Sequence, residues 1–307
     1  MRLKLGRGRR IGMCDLGSGS PTVIFEYGLA ASSPSWAGLQ NALRNETRTF
    51  RYDRCRNRAM PRTPSCLARE LREILDRAGI PPPYLLVAHS FGALVARRFA
   101  ADAPDEAAGV ILLDPLRVEE WRRWSESRRR LFERSARLMK RMILLAQLGG
   151  VRLAAHSVLR HNGQLPRRLA AVVGEEGCRV LERTTSELAA MPRAARAEVI
   201  AEWSTPGYYR SVAAHLRSLP DSLAEMEQLA PLEDVPMLVL TPASGGPLSR
   251  AALARLGRGA EQWTVEGTGH WIHLDRPDVV LEAIRSLLSN PRWRYGRVDP
   301  VQCRRNR

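Results

Sequence analysis

The stretch that decides the fold runs from Tyr84 to Phe99 and reads YLLVAHSFGALVARRF. Its first five residues form a continuous apolar run after three prolines, which is typical of a buried parallel strand too short to be a helix. After Gly92 the apolar residues return at helical spacing, so the sequence predicts a strand that turns sharply into a helix. Ser90 lies in that turn, two residues from Ala88 on one side and from Gly92 on the other, and these small residues let strand and helix approach closely while the serine hydroxyl projects above the sheet.

This turn resembles the nucleophile elbow of the α/β-hydrolase family. The family pattern is Gly-x-Ser-x-Gly, and this chain reads AHSFG over residues 88–92, with Ala88 in place of the first glycine. The resemblance extends from Gly17 to Leu288 and implies an α/β-hydrolase fold, in which helices flank a mostly parallel central sheet. A serine nucleophile at Ser90 disfavours the epoxide hydrolases and haloalkane dehalogenases of this fold, which depend on an aspartate.

A second stretch with a counterpart in this family follows the preceding predicted strand and reads EYGLA over residues 26–30. It resembles the loop that completes the oxyanion hole, which implies that the backbone amides of Leu29 and Phe91 donate to the developing negative charge. Gly28 would let the backbone approach the substrate without an intervening side chain. We expect Gly28 and His89 to contact the substrate.

A serine hydroxyl at neutral pH needs a base to take its proton, and the chain offers six histidines. Only His270 follows the last predicted strand directly after a glycine, in a stretch that resembles the catalytic-histidine loop of the family. We therefore predict His270 as the base. His273 could pair with it around a metal, but the nearby carboxylates Glu266 and Asp275 complete no recognised ligand spacing, so we predict no metal and no cofactor.

The acid partner of His270 is not fixed by the pattern. The stretch after Leu240 reads TPASGGP and contains no carboxylate, although most members of the family place an aspartate there. Asp114, at the end of the strand that neighbours the elbow strand, is the predicted acid because some α/β-hydrolases use that position. Glu266 and Asp275 are the alternatives.

The alternation of strands and helices stops near residue 117, and helical patterns replace it for most of the next hundred residues. An all-helical insertion at this place resembles the cap domain of the family. A basic helix with Trp121 and Trp124 leaves open an alternative in which this segment lies on a membrane surface. The predicted division is a first core part at 1–116, a helical cap at 117–230, a second core part at 231–290 and a basic C-terminal tail at 291–307.

The chain has 307 residues, of which 44% are apolar, enough for one large α/β domain. Lys and Arg outnumber Asp and Glu by 48 to 32, but the charges are spread along the chain without a nucleic-acid-binding module, so we expect no nucleic-acid partner. Arg56 and Arg58 stand where many relatives carry glycines in a loop that borders the active site. We expect them to charge the mouth of the site.

The five cysteines form no Cys-x-x-Cys pair, so they imply neither a disulfide framework nor a zinc site. The basic N-terminal stretch lacks the apolar run of a signal peptide, and no run approaches the roughly 18 apolar residues of a membrane span. We expect a cytoplasmic protein without stable membrane insertion. The sequence does not indicate an oligomeric state.

Taken together, the residues predict a serine hydrolase whose partner is a small-molecule acyl substrate. It would cleave an ester or a related acyl bond through an acyl-enzyme on Ser90, activated by His270. Two alternatives remain open on the same fold, because function depends on the site rather than the fold. One is an acyltransferase that excludes water, and the other is a noncatalytic protein that binds a small ligand.

Overall fold

The computed structural model describes residues 1–6, 9–55, 61–119, 126–153, 188 and 191–289. Their strands form one sheet whose members, in chain order, are β1 Arg2–Lys4, β2 Arg10–Leu16, β3 Thr22–Glu26, β4 Thr49–Tyr52, β5 Tyr84–His89, β6 Ala107–Leu113, β7 Met237–Pro242 and β8 Glu261–Val265. The spatial order is β1-β2-β4-β3-β5-β6-β7-β8. The pairs β1 with β2 and β2 with β4 are antiparallel, and every other pair is parallel. The predicted α/β-hydrolase fold class is confirmed.

The helices of the described residues lie on both faces of the sheet and between β6 and β7. In chain order they are α1 Ala37–Leu43, α2 Pro64–Ala78, α3 Gly92–Asp102, α4 Glu126–Gln147, α5 Arg193–Trp203, α6 Pro206–Arg217, α7 Leu219–Gln228, α8 Arg250–Leu256, α9 Ile272–Asp275 and α10 Pro277–Leu288. A 3-10 turn, Ser33–Trp36, precedes α1.

The strand β5 forms the centre of the molecule because both of its faces are covered. Leu86 and Ala88 face a core cluster that includes residues of α2 and α3, whereas Leu85 and Val87 face a cluster that includes residues of α1 and α10. Side chains alternate between the faces of a strand, so an unbroken apolar run is stable only between two helical layers. The carboxyl end of β5 is therefore held in a rigid frame.

The helix α2 shows how the local sequence sets an element. It begins with Pro64, which suits the first helical turn, and ends before Gly79, whose φ of 65° terminates the helix in the left-handed conformation. Its apolar face lies inward, since Leu67, Leu71 and Ile74 are each at most 1% exposed. This helix packs on α3, the helix of the serine turn.

The segment between the neighbouring strands β6 and β7 contains the helices α4 to α7. A break at Ser218 separates α6 from α7, which the sequence analysis did not anticipate. The predicted domain boundaries stay a prediction. Residues 154–187, 189 and 190 of the predicted cap lie outside the described residues, as do Trp121, Trp124 and the tail 291–307. In the part of the chain that the structure covers, no helix has the length and apolar character needed to cross a membrane.

Candidate active site

Ser90 lies immediately after β5 at the carboxyl edge of the sheet. Its φ is 54°, and its backbone N–H donates to the carbonyl of Leu113, the last residue of β6, at 3.0 Å. Gly92 makes the turn possible, because a Cβ atom there would lie 2.7 Å from the carbonyl oxygens of both Glu26 and Tyr27. The sequence-predicted strand, tight turn and helix are therefore present, with Ser90 beside the end of β3.

Backbone strain concentrates at the same edge. In the described chain, the non-glycine residues with positive φ are Ala30 at 59°, Ser90 at 54° and Asp114 at 40°. They lie near or directly after the carboxyl ends of β3, β5 and β6, which are neighbours in the sheet. L-residues adopt this region at a cost that the surroundings must offset, and such residues cluster at functional sites.

His270 lies in the loop after β8, and its Nδ1 is 2.6 Å from Oδ2 of Asp114. The two side chains are 32% and 19% exposed, so the pair borders solvent. If Nδ1 carries the proton that Asp114 accepts, Nε2 keeps a free lone pair and can act as a base. The structure thus brings together the predicted base and the predicted acid, while their catalytic roles stay predictions.

The two alternative acids lie elsewhere. Oδ2 of Asp275 accepts hydrogen bonds from the Gly269 N–H and the Thr268 hydroxyl, both at 3.0 Å, so it braces the loop rather than the imidazole. Glu266 is exposed, and its backbone carbonyl accepts a hydrogen bond from Arg276 at 3.0 Å. Of the three carboxylates considered from the sequence, Asp114 is the one in contact with His270.

His89 supports the histidine loop from below. Its ring is 1% exposed, its Nε2–H donates to the carbonyl of His270 at 2.8 Å, and the two imidazole centroids are 4.5 Å apart. A ring with so little exposed surface offers little area to a ligand. The geometry fits a supporting role, and the predicted substrate contact of His89 stays a prediction.

The loop after β3 approaches Ser90 closely. A Cβ atom on Gly28 would lie 3.0 Å from Nδ1 of His89 and 3.1 Å from Cβ of Ser90, tighter than most real contacts. Among the described residues, no protein group accepts a hydrogen bond from the backbone N–H of Leu29 or of Phe91. An oxyanion hole requires N–H groups that donate to the substrate, and this role of the two amides stays a prediction.

A buried ion pair that the sequence analysis missed lies beneath this loop. Glu26 is 0% exposed and Arg54 is 4% exposed, and Nε of Arg54 donates to Oε1 of Glu26 at 2.7 Å. The hydroxyl of Tyr52 also donates to Glu26, and the Arg54 backbone N–H donates to the Tyr27 hydroxyl at 2.8 Å. Burial acts to lower the pKa of Arg54, but the adjacent carboxylate raises that pKa overall.

The sequence did contain a signal for this pair. Glu26 ends β3, and Arg54 follows β4 by two residues. Since β3 and β4 pair in parallel, their carboxyl ends lie at the same edge of the sheet. Opposite charges at two such ends indicate an ion pair once the strand order is known.

Two further sequence hypotheses can be placed. Arg56 and Arg58 lie outside the described residues. His273 is buried and stacks on Trp36 with ring centroids 4.2 Å apart, and within the described residues no group of three or more metal-ligating side chains is placed to hold an ion.

A mostly parallel sheet that presents a strained serine, an Asp-His pair and a glycine loop at one edge defines the α/β-hydrolase class. The chain belongs to the alpha/beta hydrolase family, whose sequence model matches residues 28–283.

Individual proteins match this chain either over a short stretch or at low sequence identity. The uncharacterized protein YqjL of Bacillus subtilis (strain 168) is 36% identical over 105 residues, which cover 32% of this chain and 41% of YqjL. The matched part thus spans less than half of that relative. The solved structure of the epoxide hydrolase CorEH is 18% identical with a TM-score of 0.67, covering 94% of this chain and 97% of that one.

A thermophilic esterase from Thermogutta terrifontis is 21% identical with a TM-score of 0.58, at the same coverage of 94% and 97%. At these identities the structural likeness shows the fold alone. The solved structures that share this fold include an epoxide hydrolase and an esterase.

Proposed function

We propose that the protein is a serine hydrolase that cleaves a small-molecule ester or a related acyl bond. The observation that carries this proposal is the 2.6 Å contact between His270 Nδ1 and Asp114, at the sheet edge where the strained Ser90 lies. A histidine held by a carboxylate beside a serine on a sharp turn is the arrangement that activates a hydroxyl for nucleophilic attack.

The first half of the reaction forms the acyl-enzyme. His270 Nε2 takes the proton of Ser90 while Oγ bonds to the acyl carbon, and the electron pair of the carbonyl moves to its oxygen. The N–H groups of Leu29 and Phe91 donate to this oxygen, each contributing roughly 3 kcal/mol by comparison with characterised oxyanion holes. The intermediate then collapses, and the alcohol leaves with the proton held by His270.

The second half reverses the roles. A water molecule gives a proton to His270 and attacks the acyl carbon, and Ser90 leaves with that proton as the carboxylic acid is released. Asp114 keeps the proton on Nδ1 throughout, so the same imidazole nitrogen serves both steps.

The identity of the nucleophile favours an acyl substrate over an epoxide. A carboxylate that opens an epoxide forms an ester, which water can hydrolyse. A serine that opened an epoxide would form an ether, which water cannot cleave under these conditions. Ser90 therefore supports ester or amide cleavage, although an epoxide hydrolase is among the structural neighbours.

The test is covalent labelling with a fluorophosphonate probe, followed by assays with p-nitrophenyl esters of increasing acyl length. We expect the wild type and a Ser289→Ala control, altered at an exposed serine at the end of α10, to be labelled and to release p-nitrophenol. The variant Ser90→Ala should do neither and should keep the circular dichroism spectrum of the wild type.

Retained turnover in Ser90→Ala would refute the serine mechanism. A wild type that binds esters but is never labelled would support the noncatalytic alternative. Transfer of the acyl group to an added alcohol in preference to water would assign an acyltransferase.

A further inference from the structure

The loop that carries the Leu29 amide is a tight turn with weak internal support. The Ala31 N–H donates to the Gly28 carbonyl at 3.4 Å, which is long for a hydrogen bond. Between them Ala30 has a φ of 59°, in the left-handed region that alanine rarely adopts. A turn of this kind keeps its shape only if contacts from outside hold it.

One such contact comes from the helices between β6 and β7. The hydroxyl of Tyr208, in the first turn of α6, donates a hydrogen bond to the carbonyl of Ala30, which is 178 residues away in the chain. The Leu29 side chain packs against the same apolar cluster as Tyr208. The turn is therefore attached to α6 by a polar contact and by an apolar one.

The Tyr208 ring is itself held in place. It is 9% exposed, and it meets the Tyr209 ring edge to face with centroids 5.1 Å apart. The hydroxyl of Thr205 caps α6 by accepting from the Tyr208 N–H at 3.4 Å. A hydroxyl on an immobilised ring defines the position of the carbonyl that it binds.

The opposite side of the loop is anchored to the core. Arg54 donates from its guanidinium to the Tyr27 carbonyl and from its backbone N–H to the Tyr27 hydroxyl. Leu29 lies in the chain between this anchor and Ala30. The orientation of its N–H therefore depends on both ends of the turn, one fixed by Arg54 and the other by Tyr208.

We propose that Tyr208 is a positioning residue that holds the Gly28–Ala31 turn through the Ala30 carbonyl, so that the Leu29 N–H faces the developing oxyanion. This inference rests on the proposed acyl chemistry. Through Tyr208, the helix α6 would then help to stabilise the transition state, in addition to any contact that it makes with substrate.

The test compares Tyr208→Phe with the control Tyr209→Phe. Each change removes one hydroxyl and keeps the ring, and within the described chain only the Tyr208 hydroxyl reaches the turn. We expect Tyr208→Phe to lower kcat for p-nitrophenyl esters about 10- to 100-fold, below the loss measured when an oxyanion donor is removed outright. KM should change less than twofold. The affinity for a trifluoromethyl ketone, whose bound oxygen occupies the oxyanion position, should fall by the same factor as kcat/KM.

A measurement that needs no turnover separates this inference from the proposed function. Amide hydrogen exchange of the peptide that spans residues 27–32 should quicken in Tyr208→Phe and not in Tyr209→Phe. If the wild type lacks activity but amide exchange is faster in Tyr208→Phe, the proposed acyl chemistry is wrong and the contact by which Tyr208 holds the turn is supported. If the wild type is active but exchange, kcat and ketone affinity are unchanged in Tyr208→Phe, Tyr208 does not hold the turn and the inference is wrong. Equal losses in both variants, with equal loss of thermal stability, would assign Tyr208 a structural role only.

Discussion

At the scale of single residues, the proposed chemistry depends on the contact between His270 and Asp114. Asp114 has a φ of 40° and lies directly after β6, so its backbone is strained where its carboxylate meets the imidazole. Its own N–H donates to the Leu240 carbonyl at 2.8 Å, which fixes the residue against β7. A carboxylate held this firmly can select one histidine tautomer.

The variant Asp114→Asn tests that role. An amide at this position can donate to Nδ1, which would leave the proton on Nε2, where it blocks proton uptake from Ser90. We expect turnover of p-nitrophenyl esters to fall about 10³- to 10⁴-fold, by analogy with the same change in a serine protease, while probe labelling stays slow but detectable. Steady-state kinetics at pH 7 measure the loss. The controls are Glu266→Gln and Asp275→Asn, and near-normal rates in Asp114→Asn with collapse in either control would move the role to that residue.

At the scale of elements, the short helix α9 holds the histidine loop against the 3-10 turn Ser33–Trp36. His273 of α9 is 2% exposed and stacks on Trp36, and neither of its ring nitrogens has a hydrogen-bond partner among the described residues. Burial, with a smaller contribution from His270, lowers the pKa of His273 to about 3. The native packing therefore requires a neutral ring.

This packing predicts acid sensitivity. The unfolded chain binds a proton at His273 below a pH of about 6.5, whereas the folded protein binds it only near pH 3. The free energy of unfolding is therefore not reduced by His273 above pH 6.5. Below that pH it decreases by about 1.4 kcal/mol for each unit by which the pH is lowered towards 3. We expect His273→Phe, which keeps an aromatic ring on Trp36, to flatten the pH dependence of the free energy of unfolding by about one proton. Urea titrations at several values between pH 7 and 4 measure it.

A second buried histidine provides the comparison. Burial, with Arg54 and Arg62 nearby, lowers the pKa of His215 well below its usual value, so His215→Phe should remove a separate proton from the same profile. An unchanged profile in His273→Phe would show that the ring is accessible to protons in the native state.

At the scale of the whole molecule, the excess of 48 basic over 32 acidic residues sets a long-range field. Such a field attracts anionic ligands, and salt screens it. Arg56 and Arg58 are the arginines that the sequence predicts at the mouth of the site.

The corresponding prediction concerns substrate charge. An ester with a carboxylate on its acyl chain should be cleaved with a kcat/KM about tenfold above that of a neutral ester of the same length at low salt, and the preference should shrink as salt is raised. The double variant Arg56→Gly/Arg58→Gly should lose it. The control Arg44→Gly/Arg258→Gly removes the same amount of charge near the amino ends of β4 and β8, at the opposite edge of the sheet. This control should keep most of the preference for the charged ester. An identical profile for charged and neutral esters in the wild type and the Arg56/Arg58 variant would remove this idea.

The sequence by itself was enough to predict the core strands and helices in their order, but not the break between α6 and α7 at Ser218. Apolar runs and helical stripes depend on neighbours within about ten residues, so β5, the turn at Ser90 and α3 were predictable from local pattern alone. The last strand and the glycine that precedes His270 were predictable for the same reason. The end of β7 at Pro242 depends on its pairing with Val265 of β8, which no local pattern shows.

Only the tertiary structure decided which of these residues meet. The sequence offered three carboxylates as partners of His270, and Asp114 is the one in contact with it. The sheet order explains this contact, because β6 lies between β5 and β7 and its end, 156 residues away in the chain, lies beside the imidazole. The Glu26–Arg54 pair and the Tyr208–Ala30 contact join the ends of different elements in the same way. A local pattern predicts where each strand lies in the chain, but the distance between two side chains depends on which strands are neighbours and on how the intervening helices pack over their ends.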